Sequence, residues 1–140
     1  MASLHDPQIR DFLSSGPKIG QLGYLGKDGR PLVVPIWFIV RGDALVVSTA
    51  ADSAKAKALR RDPRVVLTAD VDTIPYAYVQ VQGVAEVETN PPQSKETFLE
   101  IARRYLSEQE AATFVEQYGS VDLALVTIRP TKIVPVFETG

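Results

Sequence analysis

The chain has 140 residues, of which 45% are hydrophobic, with 17 acidic and 15 basic side chains, one histidine and no cysteine. This length is typical of one domain, expected to span residues 1–140, and the lack of cysteine excludes disulfides, thiolate catalysis and cysteine-ligated metal sites. The small net charge of −2 does not favour nucleic acid as a partner. With no membrane-spanning apolar run and no secretory signal, we expect a cytoplasmic protein. Because His5 is the single histidine, we expect no metal site, and any catalysis would depend on a cofactor.

The first part of the chain alternates strand patterns with tight turns. We predict an amphipathic helix over residues 3–14 and strands over 18–25 and 30–40. The Gly-Lys-Asp-Gly segment at 26–29 predicts a hairpin turn, and Arg-Gly-Asp at 41–43 predicts another. The strand at 30–40 is apolar on both faces, whereas an antiparallel strand normally exposes one of its faces to solvent. One face is therefore expected in a barrel interior and the other against a second subunit or a cofactor.

The stretch from residue 44 to 63 is the part around which we expect the chain to be organised. It begins as an apolar strand, passes through Ser48, Thr49 and Ser53, continues as the helix-favouring AKAKALRR, which contains Lys55, and ends at Asp-Pro. A strand that ends in hydroxyls and leads into a helix N-terminus can bind an anion such as phosphate. The same pattern also fits a capped surface helix with solvated lysines.

The second part of the chain continues the strand pattern around a helical region. The predicted elements are a strand over 64–70, a loop over 71–75, a strand over 76–88, two helices between 89 and 117, a strand over 121–128 and a seventh strand or extended tail over 133–137. In the strand at 76–88, Tyr78 and Gln80 fall on a face of aromatic and amide side chains. This face suits a planar ligand or a partner chain, or it is simply the solvent-exposed face of the strand. Many short antiparallel strands with few helices predict a mainly β fold, a small barrel with helical inserts.

Three segments carry a resemblance to a known family: VVPIWF, LVVSTAADSAKAKALRRDPRVVL and PYAYVQVQGVAEV. In this order they resemble the FMN-binding split-barrel proteins of the pyridoxamine 5'-phosphate oxidase type. More closely, they are similar to the flavin/deazaflavin oxidoreductase branch, many members of which use coenzyme F420. The resemblance covers residues 8–140. It implies a six-stranded antiparallel split barrel that forms a homodimer with cofactors bound in the interface.

The resemblance also implies which residues contact the cofactor. Lys55 matches the lysine that binds the cofactor phosphate, Ser48 and Thr49 match positions near the ring and phosphate, and Ser53 lies beside the lysine. The backbone segment that lies along the ring matches Val34, Pro35 and Ile36. The strand that approaches from the second subunit matches Tyr78 and Gln80.

By resemblance, the expected function is hydride transfer from reduced F420 to an electron-poor acceptor such as an enone, a quinone or a linear tetrapyrrole. The phosphate is expected on Lys55, Ser48 and the helix N-terminus, and Tyr78 is the candidate proton donor. The alternatives are an FMN-dependent enzyme of the same fold, a non-catalytic cofactor-binding protein and a structural dimer without a ligand. The tail TKIVPVFETG lacks the Arg and His that a vitamin B6 phosphate substrate requires. Candidate cations for a cofactor tail are Lys18, Lys27, Arg30 and Arg41.

Overall fold

The structure is a computed structural model that describes residues 1–137. Within this range the chain forms four helices and seven strands. The helices are α1 (Pro7–Ser14), α2 (Ala54–Arg61), α3 (Ser94–Tyr105) and α4 (Glu108–Gln117). The strands are β1 (Gly20–Leu25), β2 (Pro31–Ile36), β3 (Ile39–Arg41), β4 (Ala44–Ala50), β5 (Arg64–Val71), β6 (Ala77–Thr89) and β7 (Leu123–Phe137). The last three residues of the expected 1–140 domain lie outside the described residues.

The strands form one antiparallel sheet in the order β2-β1-β5-β6-β7-β4-β3. Its two edge strands, β2 and β3, are consecutive in the chain and separated by only Trp37 and Phe38. The sheet must therefore curl until its edges approach each other, although no ladder of hydrogen bonds joins them in residues 1–137. This arrangement confirms the predicted mainly β antiparallel fold with helical inserts, and it leaves a split between β2 and the β3–β4 hairpin.

The single strand predicted over residues 30–40 is two strands, β2 and β3. The backbone of Phe38, between them, is bound by α3 instead of by a neighbouring strand. Its N–H donates to the Tyr105 hydroxyl at 3.1 Å, and its carbonyl accepts from the Arg104 guanidinium at 2.6 Å. Because both backbone groups of Phe38 have side-chain partners, the ladder is interrupted without leaving buried polar groups unpaired.

The two strands predicted at 121–128 and 133–137 are one continuous strand, β7. It pairs with β6 along its whole length, with a register shift between Gln82 and Gly83. The strand β4 covers the other edge of β7 only as far as Ile128. Pro130 and Pro135 therefore lie where β7 has a neighbour on one side, a position that tolerates the missing N–H of proline.

Two apolar clusters fix the helices against the sheet. The larger cluster lies inside the curl of the sheet and includes the fully buried Leu22, Phe38 and Leu67. The smaller cluster joins α3 to the other face of the β3–β4 hairpin. Its buried members are Ile39, Val46, Ile101 and Leu125, with Trp37 and Tyr105 packed against them. Because α3 is held on this face, α3 and α4 form one wall beside the split in the sheet.

Within residues 1–137 no helix has both the length and the hydropathy needed to cross a membrane.

Candidate functional site

A cleft of about 610 Å³ lies at the split between β2 and β4. This volume is in the range of cavities that bind small molecules and cofactors. It is lined by the end of β2, the end of β4, the start of α2 and the facing sides of α3 and α4. The lining residues are Ile19, Pro35, Ile36, Trp37, Ser48, Thr49, Lys55, Phe98, Ile101, Phe114 and Tyr118.

One end of the cleft is polar and is built by the junction of β4 with α2. The Thr49 hydroxyl donates to Ser53 Oγ at 3.2 Å, and Ser53 Oγ accepts from the Ala56 N–H at 3.2 Å as the N-cap of α2. The earlier N–H groups, of Ala54 and Lys55, have no partner within the described part of the chain. Lys55 adds a cationic side chain to these donors. Together they form an anion cradle, defined here as Thr49, Ser53, Lys55 and the first turn of α2.

Ser48 contributes a second polar group to the cleft. It follows Val47 and precedes Thr49 on β4, so its side chain points to the strand face shared with Val46, toward α3. The Ser48 Oγ atom is buried and has no hydrogen-bond partner among the described residues. A buried hydroxyl without a partner is rare and costly, so the Ser48 hydroxyl is available for a hydrogen bond to a molecule bound in the cleft.

The other side of the cleft is aromatic. We define the aromatic wall as Trp37, Phe98, Phe114 and Tyr118, all of which line the cleft. The Phe114 ring lies with its centroid 5.4 Å from that of Trp37, 5.5 Å from that of Phe98 and 5.0 Å from that of Tyr118. These separations are typical of interacting aromatic pairs, so the wall is one connected cluster of rings and has no charged member.

Two consecutive residues of α3, Tyr105 and Arg104, fix Trp37 and the backbone next to it. The Tyr105 ring is stacked on the indole at 4.8 Å between centroids with 6° between planes, and its hydroxyl donates to the Lys18 carbonyl at 2.7 Å. Arg104 donates to the carbonyls of Leu13, Gly16 and Phe38. These contacts bind the segment before β1 and the junction of β2 with β3 to a single helical turn.

Burial perturbs the acid–base properties of both supporting side chains. It lowers the pKa of Arg104 and raises the pKa of Tyr105, because water no longer solvates the charged form of either group. The Phe38 N–H, which donates to the Tyr105 hydroxyl oxygen, and the nearby Arg104 charge oppose the rise in the Tyr105 pKa. Tyr105 therefore remains a neutral phenol at neutral pH and acts in positioning.

The structure brings together five of the residues that the sequence proposed for cofactor binding. Pro35, Ile36, Ser48, Thr49 and Lys55 all line the cleft. They come from β2, β4 and α2, which are separated in the sequence but meet at the split in the sheet.

The remaining proposed residues lie outside the cleft lining. Ser53 lies one hydrogen bond away from it, through Thr49. Val34 packs against the larger apolar cluster. Tyr78 and Gln80 lie on the outer face of β6, across the sheet from the buried Val79 and Val81. Their expected approach to a cofactor from a second subunit stays a prediction.

The cations suggested for a cofactor tail do not converge on the cleft. Arg41 forms an ion pair with Glu100 at 2.7 Å, and Arg30 lies 3.8 Å from Asp28 in the same hairpin. Lys18 donates to the Ser15 carbonyl, and burial, followed by the nearby Arg104 charge, lowers its pKa. Lys55 is the cation that lines the cleft itself.

The sequence interpretation missed the aromatic wall. Phe98 and Phe114 have the spacing of ordinary core residues of amphipathic helices, and Trp37 has the pattern of a strand residue. The available signal was composition: a Trp in the second strand and several aromatic residues in the two late helices. It did not show that these rings face the same space as Ser48 and Lys55.

The donor set of the cleft suits an organic anion with an apolar planar portion better than a metal. Within the described range, no group of three or more His, Asp or Glu side chains is placed to hold a metal ion. The anion cradle and the unpaired Ser48 hydroxyl fit the phosphate and polar ring atoms of a flavin-type cofactor. Pro35, Ile36 and Ile19 add an apolar floor to the cleft.

A family model described as pyridoxamine 5'-phosphate oxidase matches residues 5–137. The chain belongs to this family. The match confirms the resemblance to split-barrel proteins that the three sequence segments indicated. Flavin binding is a property of the pyridoxamine 5'-phosphate oxidase family.

Solved structures of similar proteins agree with this assignment. A structure named as an F420 reductase is 25% identical, with a TM-score of 0.70, covering 89% of this chain and 94% of that chain. A conserved hypothetical protein from Mycobacterium tuberculosis is 27% identical, with a TM-score of 0.73, covering 100% of this chain and 92% of that chain. The haem storage protein HutZ from Vibrio cholerae is 18% identical, with a TM-score of 0.71, covering 94% of this chain and 95% of that chain. At this identity the likeness shows the fold alone. A search of curated proteins found no match.

Proposed function

We propose that this chain is an oxidoreductase that binds coenzyme F420 and transfers a hydride from its reduced form to an electron-poor small molecule such as an enone or a quinone. The likeness to an F420 reductase across 89% of the chain supports this cofactor. The observation that carries the proposal is the cleft, which combines an anion cradle, the neighbouring unpaired Ser48 hydroxyl and an apolar floor.

The residues of the cleft would hold the two chemically different parts of the cofactor. Lys55 and the free N–H groups of α2 would bind the phosphate, beside Thr49 and the N-cap Ser53. The strand end at Pro35 and Ile36 would lie along the ring, and Ser48 would donate to, or accept from, a polar ring atom. This division differs from the expectation that Ser48 binds the phosphate, because Ser48 and Thr49 point to opposite faces of β4.

A deazaflavin held by these residues would supply a hydride, and the protein would supply position and a dry environment. Holding donor and acceptor in contact removes most of the entropic cost of a bimolecular reaction. The acceptor gains the hydride together with a proton, which comes from solvent or from Tyr78 of a second subunit. The apolar floor and the aromatic wall exclude water from the reacting atoms.

The proposal includes a homodimer, because one row of residues on the outer face of the sheet leads from Pro35, in the cleft lining, to Gln80 on β6. Strand pairing places Pro35, Gln21, Thr68 and Gln80 side by side in one row across β2, β1, β5 and β6. On the same face Val33 is 65% exposed, and a large exposed apolar side chain in a strand suits an interface. A second copy seated here would bring Tyr78 and Gln80 toward a cleft.

FMN is the alternative cofactor, because it carries the same combination of phosphate and planar ring and the family binds flavins. A non-catalytic cofactor-binding protein is the other alternative. A haem protein is less well supported, because His5, the single histidine of the sequence, lies outside the cleft lining. Binding without turnover of any acceptor would favour the non-catalytic alternative.

Replacing Lys55 tests the cradle, and Lys57 provides a matched control. The two lysines lie on the same helix, but a separation of two residues places them about 200° apart around its axis, and Lys57 is exposed. We expect Lys55→Ala to weaken F420 binding by about 1.5–3 kcal/mol, roughly 10- to 150-fold, as for a charge-assisted hydrogen bond. Lys57→Ala should change it little. Equal effects of the two substitutions, measured by titration of each variant, would contradict the cradle.

A further inference from the structure

A second cavity, of about 430 Å³, lies beside the segment that joins α1 to β1. Lys18 and Ser15 line it from this segment, and the carboxyl side chains of Asp70 and Asp72 line it from the end of β5 and the loop that follows. Ile19 is the residue that this cavity shares with the cleft. Lys18, a candidate cation for a cofactor tail by sequence, therefore lines a different space from the cleft.

We propose that Lys18 is a site of Nε-acylation, at which its amine reacts with an activated acyl compound, either a thioester or an acyl phosphate. The Lys18 nitrogen forms a bond to the acyl carbon. The bond from that carbon to the thiol sulfur or phosphate oxygen breaks, and its electron pair leaves with the thiolate or phosphate. The amine loses one proton to solvent, so the product is an amide and nothing is oxidised or reduced.

The hydrogen bonds of the Lys18 amine suit its neutral form. Its Nζ atom donates to two acceptors, the carbonyl oxygen and the hydroxyl oxygen of Ser15. An ammonium group has three N–H donors, whereas a neutral amine has two and a lone pair. Two acceptors therefore satisfy the neutral amine and leave its lone pair directed away from Ser15. The third N–H of an ammonium has no partner within residues 1–137.

A fixed positive charge lies near the Lys18 amine. The Arg104 guanidinium donates to three backbone carbonyls, so it is held in place and cannot turn away from Lys18. Burial, followed by this charge, lowers the pKa of Lys18. Desolvation and a neighbouring cation are the two means by which proteins convert a lysine into a nucleophile. The Lys18 amine has both, in a cavity that gives a small acyl donor access to it.

The groups near Lys18 that favour an ammonium are weakly placed. The Phe12 ring centroid lies 5.0 Å from Nζ, and such a cation–π contact contributes least where it is solvated. Asp70 and Asp72 line the cavity, but none of the ion pairs within residues 1–137 includes Lys18. Burial and the Arg104 charge are therefore opposed by no direct carboxylate contact.

Peptide mass spectrometry of the full chain tests the inference. The purified protein is incubated at neutral pH with acetyl phosphate in one arm and with S-acetyl-N-acetylcysteamine, an uncharged thioester, in the other. Acetylation of each lysine is then followed over time. The exposed lysines are internal controls within the same molecule: Lys27, Lys57, Lys95 and Lys132. A parallel sample in guanidinium chloride removes the fold and leaves only the effect of local sequence.

We expect Lys18 to be acetylated about three- to tenfold faster than any of the exposed lysines, because the neutral amine is the nucleophile. The preference should shrink as the pH rises toward the ordinary lysine pKa of about 10.4, where lysines in general become neutral. It should vanish in guanidinium chloride. A preference for Lys18 with only one of the two donors would support the inference and identify the source of the acyl group.

Two results would overturn the inference. One is acetylation of Lys18 at or below the rate of the exposed lysines with both donors. The other is a preference that persists in guanidinium chloride, because it would then arise from local sequence and not from Ser15, Arg104 and the cavity. The inference does not depend on the proposed function: failure of F420 binding would leave it intact, and failure of Lys18 acetylation would leave the cofactor proposal intact.

Discussion

Replacing Ser48 with alanine is expected to change stability and cofactor binding in opposite directions. The Ser48 Oγ is buried without a hydrogen-bond partner among the described residues, and such a group costs about 1–3 kcal/mol relative to a solvated one. The substitution removes only one oxygen atom, so the cavity it leaves is small. We therefore expect Ser48→Ala to raise the free energy of unfolding by about 1 kcal/mol.

The same substitution removes a hydrogen bond to the bound cofactor. A neutral hydrogen bond contributes about 0.5–1.5 kcal/mol, so the dissociation constant should rise roughly two- to tenfold. Thr49→Val is the matched control for stability, because the Thr49 hydroxyl already donates to Ser53 at 3.2 Å. Loss of the Thr49 hydroxyl should lower the free energy of unfolding by about 0.5–1.5 kcal/mol.

Urea unfolding of the wild type and both variants, together with cofactor titration, checks these signs. The midpoint should rise for Ser48→Ala and fall for Thr49→Val with unchanged slopes, since neither substitution alters the exposed area much. A Ser48→Ala variant that is less stable than the wild type, or that binds the cofactor unchanged, would refute the assignment of the hydroxyl as a reserved ligand contact.

Three further substitutions test the framework around the site. Gly83→Ala brings a Cβ into collision with the Arg129 carbonyl oxygen and should cost about 2–3 kcal/mol in urea unfolding. Arg104→Leu leaves three backbone carbonyls without their donor and should cost about 2–4 kcal/mol, whereas the exposed Arg103→Leu should cost under about 1 kcal/mol. Asp62 has its pKa lowered from 3.8 to about 2 by hydrogen bonds from Arg64, so its stabilising contribution is present above pH 3.8 and is lost as the pH falls toward 2. The melting-temperature difference between wild type and Asp62→Asn should shrink over that interval, and a constant difference would contradict the ion pair.

Local chemistry made the turns and the helix α2 predictable from the sequence. Gly29 has the positive φ of 82° that the Asp-Gly hairpin requires. Ser53 caps α2, and the helix ends at Arg61 before Asp-Pro. The hydroxyls and Lys55 lie within eight residues of chain, from Ser48 to Lys55, so their proximity follows from the strand–helix junction alone.

The break in the predicted strand at 30–40 could not be read from local pattern. Its cause is Arg104 and Tyr105, which lie 66 and 67 residues away from Phe38 in the sequence and bind its backbone. The aromatic wall was missed for the same reason. Trp37 and Phe114 each have the pattern of a buried residue, and only the tertiary arrangement of α3 and α4 places them beside the cleft.

The continuity of β7 illustrates how tertiary context overrides a local breaker. Pro130 and Pro135 favour an end to the strand when the sequence is considered alone. The long partner strand β6 pairs past both of them, and the register shift at Gly83 accommodates the chain opposite Pro130. Sequence pattern therefore predicted the presence of strand structure on both sides of Pro130 but not that it is one strand.

The most direct test of the central claim is a side-by-side titration of the purified apo-protein with F420 and with FMN, followed by cofactor fluorescence. We expect saturable binding of F420 that is tighter than that of FMN and is weakened by Lys55→Ala but not by Lys57→Ala. Tight binding of FMN alone would transfer the proposal to the FMN-dependent alternative. Binding of neither cofactor would contradict the account, and the start of α2 would then be an ordinary capped helix.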